Sequence, residues 1–199
     1  MRCLVVFLVS ISWAGLVAAD TPTQKLAAVD DIGATFKQTL SDISGQVLEV
    51  SYGRLLLKKP WFRWEVTEPF PQTIVAVDGV VKIFDPDLEQ LSIHSLGLEE
   101  YDLPLIVLTR PFDEVQDKFS VQHRRDGEFD VVELTPETPE ALFAQLSFVF
   151  QGEFLHAFTI VGHGGQTTDV ELITYQTGLM LQSEQFELEV PAGTDIVEG

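Results

Sequence analysis

The residue types that carry chemistry in folded proteins are few and scattered in this 199-residue chain. Its histidines are His94, His123, His156 and His163, and no two stand three or four positions apart, the spacing that puts two imidazoles on one helix face around a metal. The one cysteine, Cys3, lies at the extreme amino terminus, so no thiol is left to complete a metal site. His163-Gly164-Gly165 has the form of an esterase oxyanion loop, but the G-x-S-x-G elbow that would present the nucleophile is missing. A glycine-rich turn between strands accounts for it better. Neither a phosphate-binding loop nor G-x-G-x-x-G occurs. Carboxylates are plentiful but dispersed, and no catalytic pair can be named. The chain reads as a non-enzyme, with no catalytic residue, metal or cofactor expected.

Charge narrows the partners. The formal net charge of −19 excludes nucleic acid on electrostatic grounds and disfavours an anionic membrane surface. The acidity fits a salty habitat or simple solubility, and equally a molecule that must not adhere to the membranes it works between. Residues 1–19 read as a secretory signal peptide: Arg2, an apolar run from Leu4 to Val17, then Val17-Ala18-Ala19 at the cleavage positions. Residues 20–199 are then a single domain, without disulfides, and expected in a periplasm. No cysteine follows the cleavage site to carry a lipid anchor.

The elements that must position any site read mostly as strands. Residues 53–93 form the organising stretch. Phe62, Trp64 and Val66 alternate with Arg63 and Glu65, Asp78-Gly79 supplies a two-residue hairpin, and Asp85-Pro86-Asp87 a second turn. A long strand, Gln46 to Lys58, precedes them. Further strands are expected at Ser120–Arg124, Phe129–Leu134, Leu146–Phe150, Phe154–Val161, Thr167–Tyr175 and Gln185–Val190. Leu26, Val29, Ile32, Phe36, Leu40 and Ile43 recur at spacings of three and four after a capping pattern at Thr21, which predicts a helix of about five turns ending at Gly45. Leu103–Leu108 is an apolar piece that must be covered or must cover something, and Phe112–Phe119 reads as a short helical segment. The fold class is α+β: about 10–11 antiparallel strands in one large curved sheet, helices on its concave side, and no parallel crossover.

Fourteen phenylalanines and three tryptophans, of which only Phe7 and Trp13 fall in the expected signal, are a generous supply for such a domain. Aromatic stripes on strands make plain core; a concave sheet lined this way also makes a site for apolar ligands. Both readings stand at this point.

Several motifs, in order along the chain, resemble one family. They are K-P-x-F-R-W (Lys59, Pro60, Phe62, Arg63, Trp64), D-G (Asp78, Gly79), F-D-P-D-L-E-Q (Phe84 to Gln90), L-T-P (Leu134 to Pro136), G-Q-x-T (Gly165 to Thr168) and F-x-x-x-V-P-x-G-x-D (Phe186 to Asp195). Together they resemble the periplasmic outer-membrane lipoprotein carrier family, LolA. The resemblance implies an open, incomplete antiparallel β-barrel with a helical lid enclosing an apolar cavity. It implies a monomeric chaperone that takes triacylated lipoproteins from an ATP-driven inner-membrane transporter and hands them to a receptor lipoprotein on the outer membrane. Leu103–Leu108 would be the lid segment. Members of the family usually carry Arg before the proline, thought to latch the lid through its backbone. Here the residue is Lys59, a point charge without the planar fork of Arg. Gly162 stands where an Asp is common, and Lys82 where an aromatic-rich strand is usual.

The expected lining of the cavity is Phe62, Trp64, Ile74, Phe84, Leu91, Leu105, Leu108, Phe148 and Phe158, a list that a one-residue error of register would turn inside out. Three alternatives compete. The receptor partner of the same fold would need a lipobox cysteine. A periplasmic sensor recognising lipidated or mislocalised envelope components would bring a further domain or a tether. An esterase would need a nucleophile beside a histidine.

Overall fold

The computed structural model describes residues 22–95, 107–112, 116–138 and 141–198. The expected signal, 1–19, lies outside them, as do residues 103–106 of the apolar piece and with them Leu105.

The strands are β1 Ile32–Ser41, β2 Val47–Lys58, β3 Trp61–Glu68, β4 Gln72–Val77, β5 Val80–Asp85, β6 Gln90–Ser95, β7 Phe119–Asp126, β8 Phe129–Pro136, β9 Gln145–Gln151, β10 Phe154–Val161, β11 Thr167–Thr177 and β12 Asp195–Glu198. All join one 12-stranded sheet in the order β12-β6-β5-β4-β3-β2-β1-β11-β10-β9-β8-β7. Strands β12 and β7 are its edges, so the sheet is open. Asp78 and Gly79 hold φ of 50° and 79°, the left-handed pair that a two-residue hairpin between β4 and β5 requires.

Three expectations are corrected. The five-turn helix is a seven-residue one, α1 (Pro22–Ala28), followed by β1. Ile32 and Phe36 are four apart, a spacing that a helix face and a strand face share. Ala34 between them decides for the strand, because Ile32, Ala34 and Phe36 are all buried while Gly33 and Thr35 are only half so. Next, Gln185–Val190 is not a strand. A 3-10 turn at Ser183–Phe186 leads into unpaired extended chain. Finally, the unexpected strand is β12, which pairs with β6 in parallel, Asp195 opposite Gln90 through Glu198 opposite Ile93. It is reached from β11 through segment 178–194, irregular apart from its 3-10 turn, and a four-residue edge strand leaves almost no periodicity to read.

Both sides of the sheet carry apolar clusters. The larger lies on the inner, concave side and draws on β1–β5, β8–β11, α1 and residues 107–112. The smaller, on the outer side, is Val75, Leu181 and Phe186, with Leu56, Trp61, Val77 and Leu188 packed around it. It exists because segment 178–190 lies across the backs of β3 and β4.

Candidate functional site

Register decides which residues face inward. Trp64 stands opposite Ile74, Ile74 opposite Ile83, and Phe62 opposite Ala76, so these side chains share one face. Elsewhere on this same inner face one rung runs Val132, Phe148, Phe158, Val170, Gln38 and Ser51 from β8 to β2. The next runs Leu172, Phe36, Gly53 and Val66 from β11 to β3.

Trp64 is the centre of the inner face. Its ring stacks on Phe36 with centroids 3.6 Å apart and 16° between planes. Phe62 lies nearly parallel at 6.4 Å, Phe158 meets Trp64 edge-on at 6.1 Å, and Phe148 packs on Phe158 at 6.2 Å. The close stack needs Gly53. A Cβ there would collide with the Glu65 carbonyl oxygen and come within 2.5 Å of the Phe36 ring. These aromatics are all at most 3 % exposed, so they cover one another.

Of the expected lining residues, Phe62, Trp64, Ile74, Phe148 and Phe158 share this inner cluster, and Leu108 joins it from the end of the apolar piece. Phe84 and Leu91 do not. Phe84 stands opposite Thr73 and Leu91 opposite Phe84, which puts both on the outer face with Val75 and Lys82. The aromatic ring of Phe84 suggests an inward position, and Lys82, two residues earlier and therefore on the same face, is the sign against it. Phe36 escapes a reading from sequence because its surroundings have the spacing of a helix.

The cover over this face includes α1, whose Leu26 is buried in the cluster together with Val29 just beyond its end. Two lysines fasten it. Lys59, in the turn between β2 and β3, donates from Nζ to the carbonyl oxygens of Leu26 (3.3 Å) and Ala27 (3.0 Å) at the carboxyl end of α1. A cation there satisfies carbonyls that the helix cannot bond itself. Its backbone N–H donates to Asp30 Oδ1 at 2.8 Å. Burial lowers the Lys59 pKa, and the Asp30 charge only partly offsets this. The described partners of this lysine therefore lie on α1 and the residues after it.

Lys25, on α1 itself, reaches the other way, donating to the Gly152 carbonyl oxygen at 2.7 Å and pairing with Asp130 Oδ2 at 3.2 Å. Burial pushes the Asp130 carboxyl up, but hydrogen bonds from Lys25 and His123, with the charges of Lys25 and Arg125, outweigh it and hold the pKa below the usual aspartate value. No sequence signal points to this pair, which joins the amino-terminal helix to a strand far along the chain.

His163 is accounted for structurally. Its Nε2 lies 2.6 Å from the Ala141 carbonyl oxygen, and Gly165, at φ 80°, closes the turn between β10 and β11.

Comparison with known proteins follows the same line. The family model described as "Outer membrane lipoprotein carrier protein LolA" matches residues 27–189. A protein named outer-membrane lipoprotein carrier protein from Xanthomonas oryzae pv. oryzae is 34% identical over 182 residues, covering 89% of this chain and 85% of its own. One of the same name from Chromohalobacter salexigens is 30% identical over 173 residues, covering 86% and 82%. An uncharacterized conserved protein from Thermus thermophilus has a solved structure that shares the fold, with a TM-score of 0.52 at 15% identity over 88% of this chain and 93% of that one. The chain belongs to the outer-membrane lipoprotein carrier protein family, LolA.

Proposed function

We propose that this protein is a periplasmic chaperone that shelters the acyl chains of lipoproteins. It accepts them as an ATP-driven transporter releases them from the inner membrane and delivers them to a receptor lipoprotein on the outer membrane. It works as a monomer and catalyses no reaction. Phe36, Phe62, Trp64, Ile74, Phe148 and Phe158 form the floor for the chains. Residues 103–108, with Leu105 and Leu108, act with α1 as the cover.

The observation that carries this reading is the self-covering aromatic floor beneath a helix held by two lysines. Exposing acyl chains to water costs about 0.8 kcal/mol per CH₂, so three chains cannot cross the aqueous gap bare. A carrier must bury them and still release them. When the cover lifts, the rings lose contact with one another and gain contact with hydrocarbon. The difference between two apolar environments is small, which keeps the exchange reversible.

Purification from a Gram-negative periplasm followed by native mass spectrometry tests this directly, the expected result being a bound triacylated polypeptide. A synthetic triacylated lipopeptide should also change the fluorescence of Trp64 on titration. Absence of both would overturn the proposal.

A further inference from the structure

Among the described residues, the inner face holds one buried side-chain polar atom with nothing to bond. The Ser51 side chain is buried, the whole residue being 1 % exposed, and its Oγ has no hydrogen-bond partner. Buried hydroxyls are nearly always satisfied, because one without a partner has lost its water and received nothing in return. The position of Ser51 gives this orphan a meaning. It ends the rung that starts at His123 on β7 and passes through Val132, Phe148, Phe158 and Val170. Gln38, its cross-strand neighbour, makes no bond to it. The aromatic floor is therefore bordered, on the same face, by a short polar margin. The neighbouring rung through Phe36 and Gly53 carries no charged residue, and the one on the other side sets the carboxylate of Glu49 opposite Leu40, so the margin suits a neutral acceptor rather than an anion.

Resting on the carrier reading above, we infer that the Ser51 hydroxyl is a binding group for cargo, donating a hydrogen bond to an acyl carbonyl oxygen of the lipidated amino terminus. That head has neutral carbonyls, esters on the O-linked chains and an amide on the N-linked one, where hydrocarbon meets peptide. Chains laid along Phe148, Phe158 and Trp64 bring that junction to the edge of the aromatic floor, where Ser51 stands. The hydroxyl is left unsatisfied in the unloaded protein and satisfied in the loaded one, so its full value counts toward binding. It also fixes how far the chains slide in, which apolar contacts alone cannot do.

The test compares the mature protein with Ser51→Ala by fluorescence titration of three ligands: a triacylated lipopeptide with ester and amide linkages, its analogue with ether-linked chains, and a dialkyl ether lacking the N-acyl chain as well. Thermal unfolding is measured on both unloaded proteins. Ser51→Ala should bind the first ligand about three- to tenfold more weakly, the value of one neutral hydrogen bond, yet melt at the same temperature or higher because an unsatisfied group is gone. The penalty should vanish for the ligand without carbonyls, and the ether analogue tells ester from amide. Equal affinity of both proteins for the first ligand overturns the inference while leaving the carrier reading in place. So does a penalty that persists without carbonyls, or a lower melting temperature. Failure of the wild-type protein to bind any of the three overturns the carrier reading itself, and this inference with it.

Discussion

Both faces of the sheet are apolar, and each is covered by a separate piece of chain, but the covers are fastened by different means. On the outer face, segment 178–190 is stitched in along its length. Asp31 accepts bonds from the Met180 and Leu181 N–H groups, Arg63 Nη1 donates to the Glu187 carbonyl at 2.9 Å, and Phe186 packs against Trp61 at 5.7 Å. Its far end becomes β12, locked into the backbone ladder of β6. On the inner face, the described attachments of α1 and the residue after it to the sheet are side-chain ones: Lys59 and Lys25 at its two flanks, the buried Leu26 and, just past the helix, Val29. A ladder must be unzipped, whereas a pair of ammonium groups need only let go. The outer cover ends in backbone pairing, whereas the inner one is held by side chains, as the proposed opening would require.

That contrast can be broken or sharpened, beginning with the largest effect. Phe186→Ala should destabilise the protein by about 3–5 kcal/mol in urea unfolding, since a buried ring of the outer cover is removed, yet leave lipopeptide affinity unchanged in native buffer. A large loss of affinity would mean that the two faces are coupled. Lys59→Met should cost about 1–2 kcal/mol and, by hydrogen exchange, raise the opening of residues 22–30 with little change elsewhere. Lys59→Arg should move exchange the other way, because the fork has more donors for the same carbonyls. If Lys59→Met leaves exchange of α1 untouched, the latch is elsewhere. Arg63→Ala should cost about 1 kcal/mol and loosen segment 183–190 alone.

The smallest effect is that of Asp130→Asn, about 0.5–1 kcal/mol near neutrality. It carries a sign with pH. The folded pKa of Asp130 lies below its ordinary value of 3.8, so its contribution is complete above that value and is lost as pH falls through the lowered one. The wild type and Asp130→Asn should therefore converge in stability as the pH falls through that lowered value. A gap that persists there would assign the effect to packing.

The inner floor can be read from sequence where one period is unopposed. Phe62 and Trp64 alternate with Arg63 and Glu65, and the hairpin at Asp78-Gly79 then carries the register to Ile74. It is hidden where two explanations coincide. Phe36 lies at a spacing that suits helix and strand alike. Phe84 and Leu91 point inward only on the premise of one greasy face. The outer cover, which makes the second face greasy too, comes from a segment about a hundred residues downstream that no local pattern announces. The lysine latches are half visible. The motif around Lys59 marks the residue, but only the fold shows that its described partners belong to α1 and the residues after it.

A closed barrel has its bore fixed by strand number and shear. This sheet, ending at β12 on one side and β7 on the other, carries no such constraint. Its curvature is set by what it is wrapped around. A small bend shared among many strands can thus open or tighten the inner face with the hydrogen bonds between neighbours preserved, which is the freedom that the proposed carriage of acyl tails of differing length and bulk would use.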